Sequence, residues 1–247
     1  MLDKSIFIST DTAIAATGSD DPFAVMEYYN IPLIPLYGTI IAYAVRISYL
    51  AMIGINEKLD RFIRSLVAWH ELTHVFERDI DDPAFAFKED KGIFTMEVDS
   101  WFISRREKVC NLVSADHNID TGLVREMIGY DNSIMKDYRK LCAAQRETTK
   151  AYEQLRSSLA LNTHGTAVSC RMAEYEKQLQ SLNNRRIDLE AVMIADNCTM
   201  SLSQIAAELG CSVTVLKYKL EAMRLRGMDD INLQELAAFD KVFDKLA

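Results

Sequence analysis

The spacing of hydrophobic positions divides the first half of the chain into a small sheet and two helices. Two β-branched and aromatic runs, 38–46 and 49–56, flank a two-residue gap and predict a hairpin or two neighbouring strands. The run 31–36 contains two prolines, which favours an edge strand or an extended connector. Residues 57–77 then change to helical spacing, and a second helix is predicted over 94–113.

The second half of the chain has heptad-like spacing. Seam positions recur in steps of four and three over 134–159 and again over 168–193, around an Asn/Gly-containing turn at 162–165. This pattern predicts an antiparallel helical hairpin, either a coiled coil or a plain helix pair packed on the rest of the protein. The remaining residues, 199–247, are predicted to form short helices.

The segment 201–226 fits a helix-turn-helix. Ala206 permits close helix approach, Gly210 suits the left-handed turn and Ser212 can cap the second helix. Two functions are open for this segment: it binds DNA, or it packs on the rest of the protein or a partner. The residues of the second helix that we expect to be exposed for a DNA groove or a phosphate are Thr214, Lys217 and Tyr218.

Together these patterns predict an α+β fold: a small domain with a short β-sheet, followed by a mostly helical C-terminal half. Four segments are expected along the chain. They are a flexible N-terminal arm over 1–21, the α+β domain over 22–120, the helical hairpin over 121–197 and a helix-turn-helix domain over 198–247.

Composition narrows the classes of protein further. The chain has 28 Lys and Arg against 36 Asp and Glu, a formal charge of −8, which argues against binding nucleic acid through a broad basic surface. Five scattered cysteines without a CxxC pair indicate thiols in a reducing compartment. The start has no signal-peptide pattern, and the apolar stretch 40–55 is too short and too polar to span a bilayer. We therefore expect a soluble cytoplasmic protein without membrane contact.

A metal-binding motif lies in the first predicted helix, where the chain reads His70-Glu71-x-x-His74. The i, i+4 spacing places both imidazoles on one helical face, within reach of one metal ion. Glu71 is suited to act as a general base on a water beside that ion. Zinc is the expected cofactor, although histidine and carboxylate ligands also accept manganese or iron.

A zinc site of this kind needs a third protein ligand. Glu97 follows His74 by 23 residues, and a helix that carries it can return antiparallel to the motif helix and present the carboxylate inward. His117 lies in a polar Asp/Asn segment and is expected to be a loop residue, and His164 a turn residue. The candidates for the third ligand are Glu97, Asp99, Glu107, Asp116 and His117.

The hairpin, the HELTH helix and the later Glu97-Val98-Asp99 together resemble the ImmA/IrrE family of zinc metallopeptidases, over about residues 22–113. Thr73 stands where that family usually has glycine in HELGH, which leaves the ligands intact. The resemblance implies a zincin-like domain. The residues it implies as zinc ligands are His70, His74 and Glu97, with Glu71 as the base and Asp99 either orienting a ligand imidazole or lying on the surface.

The resemblance also implies a function. It predicts a metalloendopeptidase that cleaves an intracellular helix-turn-helix repressor and so releases genes of a phage, a mobile element or a stress response. Family members often carry a helix-turn-helix after the peptidase region, as 201–226 does here. The alternative is a non-catalytic regulator or antirepressor that binds DNA or the repressor itself. A separate hypothesis concerns the hairpin over 134–195: it recognises the protein substrate or mediates homodimer formation.

Overall fold

The computed structural model describes residues 2–78, 81, 105–159, 165–196, 199–228 and 231. The chain forms two compact units. One comprises Met1–Thr121 and Leu202–Leu233, and the other comprises Gly122–Ser201 and Gln234–Ala247. The sequence predicted a separate helix-turn-helix domain over 198–247, whereas most of that segment belongs to the first unit.

The N-terminal segment is helical and packed, unlike the flexible arm predicted over 1–21. A 3-10 helix, Lys4–Phe7, leads into α1, Ile8–Thr17, which ends at Gly18 in the left-handed conformation (φ 67°). Phe7 is only 1% exposed, and its ring lies 4.1 Å from the Arg226 guanidinium carbon. The few apolar side chains of this segment have no clear periodicity, so their burial depends on tertiary packing.

A three-stranded sheet forms in the described part of the first unit, after helix α2, Pro22–Tyr28. Its strands are β1, Leu33–Leu36, β2, Ala42–Ile47, and β3, Leu50–Asn56, in the order β1-β3-β2. β2 and β3 pair antiparallel, which confirms the predicted hairpin, and β1 is a parallel edge strand. The hairpin turns within two residues, and Ser48 adopts a positive φ of 58° there.

Two antiparallel helices form the centre of the first unit. Helix α3, Arg61–Phe76, begins where the Asp60 side chain accepts a hydrogen bond from the Ile63 amide at 2.9 Å. All its residues from Leu66 to Val75 are buried, because α3 packs against the sheet on one side and α4 on another. Helix α4 spans Arg105–Asn118, so it agrees with the predicted helix over 105–113; residues 94–104 lie outside the described ones.

The helix-turn-helix geometry is present within the first unit. Helix α8, Leu202–Glu208, and helix α9, Val213–Leu225, are joined through Gly210 (φ 64°), and the Ser212 side chain caps α9 by accepting from the Val215 amide. The expectation that Tyr218 is exposed is wrong: Tyr218 is 0% exposed because α9 packs it against α4. Thr214 and Lys217 are half-buried.

The second unit contains the predicted helical hairpin. After helix α5, Thr121–Met127, the long helices α6, Ser133–Leu159, and α7, Gly165–Ala195, run antiparallel. Tyr138 donates to Glu190 at 3.0 Å, and farther along the hairpin Tyr152 donates to Glu176 at 2.8 Å. As the chain advances along α6 its partners move back along α7, which confirms the antiparallel prediction.

The strands and helices agree with an α+β fold, and the zincin-like part of that prediction stays a prediction. The described residues form one small sheet and are otherwise mostly helical. None of the described helices is both long enough and apolar enough to cross a membrane.

The packed N-terminus leads to a stability prediction. Phe7→Ala should lower the free energy of unfolding by about 3 kcal/mol or more, because it removes a buried aromatic side chain and leaves a cavity. The neighbouring Ile8 is 62% exposed, so Ile8→Ala should change it by no more than about 0.5 kcal/mol. Urea unfolding of both variants is the measurement. If both variants changed the free energy of unfolding by the same small amount, residues 4–17 would be the flexible arm that the sequence predicted.

Candidate metal centre

Two buried imidazoles face each other on α3. His70 and His74 are both 0% exposed, and their Nε2 atoms are 3.2 Å apart. The ring centroids are separated by 4.9 Å with an interplanar angle of 72°. Glu71, the residue after the first histidine, is also buried, with 1% of its surface exposed. The HExxH spacing therefore brings the two imidazoles together, as the sequence predicted.

A carboxylate from α4 completes this group. Glu107 Oε2 lies 3.3 Å from His70 Nε2, and Glu107 Oε1 lies 3.6 Å from His74 Nε2. Burial raises the pKa of Glu107, but hydrogen bonds with the two imidazoles and their charge outweigh it and hold that pKa below its usual range. The Glu107 side chain is 20% exposed, so this end of the cluster reaches solvent.

The two imidazole nitrogens and the two carboxylate oxygens lie near the spacing that the ligands of a tetrahedral metal ion have. Ligand atoms about 2.0–2.1 Å from such an ion lie about 3.3–3.4 Å from one another. The separations between the two Nε2 atoms and the carboxylate oxygens are 3.2, 3.3 and 3.6 Å. Two imidazole nitrogens and a carboxylate oxygen are also the donor types of catalytic zinc sites. The residues present therefore fit a divalent ion.

A thiol lies against the same histidine pair. Cys110 is 0% exposed, and its Sγ is 3.4 Å from Nδ1 of His74. His70, His74 and Cys110 could hold a metal ion, since each offers one ligand atom and these atoms lie within 4.8 Å of one another. Cys110 faces Nδ1 of His74 and Glu107 faces Nε2, on different edges of one ring. Two donor sets thus share the histidine pair, one with Glu107 and one with Cys110.

The sequence pattern predicts part of this cluster. Glu107 was one of five candidates for the third ligand, and it contacts both imidazoles. Glu97 and Asp99 lie outside the described residues, so their roles stay predictions. Cys110 was not singled out as part of a site, although it follows Glu107 by three residues and so shares a face of one helix with it.

His117, another of the five candidates, is not the loop residue that we expected. It lies in α4, where its ring packs on Trp69 with centroids 4.6 Å apart and its Nε2 is 3.0 Å from Thr10 Oγ1. Packing between helices orders this polar Asp/Asn segment and overrides its local preference for a loop. Burial lowers the pKa of His117 to about 4, and the nearby Asp116 charge offsets only part of that effect.

Asp116, the remaining candidate, serves a different cluster. Its Oδ1 is 2.9 Å from Lys219 Nζ, and its Oδ2 is hydrogen-bonded to Arg226. Both partners come from α9 or the residue after it, so this carboxylate joins α4 to the helix-turn-helix segment. Asp116 is therefore committed to an ion-pair network.

Comparisons with known proteins assign no family. No protein-family model, curated protein or solved structure matches the chain. The donor geometry of α3 and α4 and the HExxH pattern are therefore the features that indicate a function.

The buried His117 generates a pH prediction. Because its pKa is about 4 in the folded protein and about 6.5 when unfolded, the unfolded chain takes up a proton first as the pH falls. The contribution of neutral His117 to the free energy of unfolding is therefore complete above pH 6.5. It is lost between about pH 6.5 and 4, by an amount on the order of 3 kcal/mol.

Urea unfolding of the wild type and of His117→Gln across that range measures the effect. Both proteins share every other titrating group, so their difference isolates His117. The wild type should lose stability more steeply than the variant below pH 6.5. Parallel curves would contradict the buried, neutral state of this histidine.

Proposed function

We propose that this protein is a zinc-dependent endopeptidase whose ion is held by His70 Nε2, His74 Nε2 and the Glu107 carboxylate. The observation that carries the proposal is the approach of these groups: the two Nε2 atoms are 3.2 Å apart, and the two Glu107 oxygens lie 3.3 Å from His70 Nε2 and 3.6 Å from His74 Nε2. The HExxH pattern supports it independently, because that pattern adds a buried glutamate to the two histidines.

We assign Cys110 to a supporting role in this site. Both Nε2 atoms point to the Glu107 carboxylate, whereas the thiol contacts the Nδ1 edge of His74. Partners on the second ring nitrogen commonly fix the orientation of a ligand histidine. The family resemblance implies Glu97 as a ligand, which stays a prediction, and the Zn²⁺ affinity of Glu97→Gln tests it.

The chain's own residues supply the proton transfers of peptide hydrolysis. The Lewis acidity that the reaction needs comes from Zn²⁺ when it is bound. Glu71, beside the first ligand, accepts the proton of the attacking water at its carboxylate and delivers it to the leaving amine nitrogen. Glu71 is 1% exposed and lies next to His70 in the buried part of α3.

The substrate that we propose is a cytoplasmic helix-turn-helix repressor. This proposal comes from the resemblance to the ImmA/IrrE family, carried by HELTH and by Glu97-Val98-Asp99. Cleavage would release the repressed genes of a phage, a mobile element or a stress response.

The alternative function, a DNA-binding regulator or antirepressor, has less support. DNA binding through α9 requires outward side chains there, and of the three predicted residues Tyr218 is 0% exposed while Thr214 and Lys217 are half-buried. We therefore give α8 and α9 a packing role within the enzyme.

The proposed ligand set predicts an ordered series of metal affinities. Glu107→Gln should weaken Zn²⁺ binding at least about 100-fold, because it replaces an anionic ligand with a neutral amide. Cys110→Ser should weaken binding by about tenfold or less, because a hydroxyl can still contact His74 Nδ1. Competition with a chromophoric chelator measures both, with Glu97→Gln in the same series. A larger loss for Cys110→Ser than for Glu107→Gln would assign the ion to the thiol set instead.

The catalytic role of Glu71 predicts a separation of binding from activity. Glu71→Gln should retain Zn²⁺ but lower the rate of cleavage by a factor of about 10² to 10⁴, since only proton transfer is removed. The assay follows fragments of the helix-turn-helix repressor encoded nearest to its gene, with Zn²⁺ present. Glu57→Gln, on the exposed loop before α3, is the matched control and should cleave normally. Undiminished cleavage by Glu71→Gln would refute the assignment of Glu71 as the base.

A further inference from the structure

We infer that α9 sets the position of the ligand-bearing helix α4, and that Lys219 and Tyr218 are positioning residues of the metal centre. The inference rests on the proposed ligand Glu107. It assigns the helix-turn-helix segment a function that its sequence pattern does not indicate: α9 supports the helix that completes the metal site.

A buried lysine anchors the end of α4. Lys219 is 0% exposed, and its Nζ lies 2.8 Å from the Asp116 carbonyl oxygen, 2.9 Å from Asp116 Oδ1 and 2.7 Å from Thr121 Oγ1. These three contacts use all three donors of the ammonium group. Its charge also lies at the C-terminal turn of α4, where a cation is favoured by the helix dipole.

A second cation strengthens the same anchor. Arg226 bonds to Asp116 Oδ2 and, through its two NH groups, to both oxygens of Asp11 on α1, at 2.7 and 2.9 Å. The Asp116 side chain is only 4% exposed. Separating the partners of a buried ion pair is unfavourable, because each charge would be left in a poorly solvated site.

A neutral contact holds α4 nearer the metal centre. Asn111 donates to the Tyr218 hydroxyl at 3.3 Å, and both side chains are 0% exposed. Asn111 directly follows Cys110 and lies about one turn after Glu107. Tyr218 and Lys219 therefore fix α4 at two heights, one beside the donor residues and one at its C-terminus.

The side of α4 that faces α3 carries the site itself. Glu107 reaches the two imidazoles of α3, and farther along Ser114 donates a hydrogen bond to the Leu66 carbonyl. A metal site holds its geometry only when its ligands stay within about 0.5 Å of the productive arrangement. A small slide or rotation of α4 would move the Glu107 carboxylate out of that range. The contacts of Tyr218 with Asn111 and of Lys219 with Asp116 oppose such a movement.

The test compares two conservative variants with a control on the same helix. Lys219→Met keeps the length of the side chain without its charge, and Tyr218→Phe removes only the hydroxyl. Lys217→Met is the control, because Lys217 is half-buried on α9 and lies outside the Asp116 network. Zn²⁺ affinity by chelator competition and the visible spectrum of the Co²⁺-loaded protein are measured below the unfolding temperature of each metal-free variant.

We expect Lys219→Met to weaken Zn²⁺ binding by about tenfold or more and Tyr218→Phe by about threefold, as for groups that orient ligands. Both should alter the Co²⁺ spectrum, which reports ligand geometry, and Lys217→Met should match the wild type. Unchanged affinity and spectrum with a lower unfolding temperature would overturn the inference, because a purely structural role has that result. If Lys219→Met does not fold, Tyr218→Phe decides by the same two measurements.

Failure of the inference is distinguishable from failure of the proposed site. A wild type that binds no Zn²⁺, or a Glu107→Gln variant that binds as tightly as the wild type, would refute the ligand assignment itself. Normal binding by Lys219→Met and Tyr218→Phe alongside a defective Glu107→Gln would refute only the positioning role of α9.

Discussion

The contact between one carboxylate and two buried imidazoles constrains the first unit of this protein more than any other interaction. Charged and polar groups are costly to bury unless they are paired. Glu107 meets that requirement by lying 3.3 and 3.6 Å from the Nε2 atoms of His70 and His74. The contact forms where α3 and α4 pack against each other, and the sheet, α2 and α9 pack on these two helices.

Other elements of the unit contact α3 and α4 and fix their relative position. The sheet and α2 pack on α3, while α9 packs on α4 and binds it through Tyr218 and Lys219. The N-terminal helix joins the same network, because Asp11 pairs with Arg226 and His117 contacts Thr10. Segments far apart in sequence, near residues 10 and 220, thus come together at the C-terminal end of α4.

Local features of the sequence predicted the elements that depend on local interactions. The β2–β3 hairpin follows from β-branched runs around a short gap, and α3 follows from its helical spacing. The pairing of His70 with His74 follows from helical geometry alone. These predictions needed no knowledge of which element packs against which.

The remaining features depend on tertiary packing, which the pattern does not encode. Glu107 was one of several acidic candidates, and only the height of α4 against α3 distinguishes it. The apolar spacing of a helix-turn-helix is the same whether its second helix faces DNA or protein, so the burial of Tyr218 was not predictable. A lysine is expected at the surface unless its partner is known, and the partner of Lys219 lies 103 residues earlier in the chain.

X-ray absorption at the zinc edge of the protein loaded with one equivalent of Zn²⁺ tests the central claim most directly. The account predicts a shell of nitrogen and oxygen atoms at about 2.0–2.1 Å, with the outer scattering of two imidazoles and no sulfur. A sulfur atom at about 2.3 Å from the zinc would contradict it and would place Cys110 in the ligand set instead.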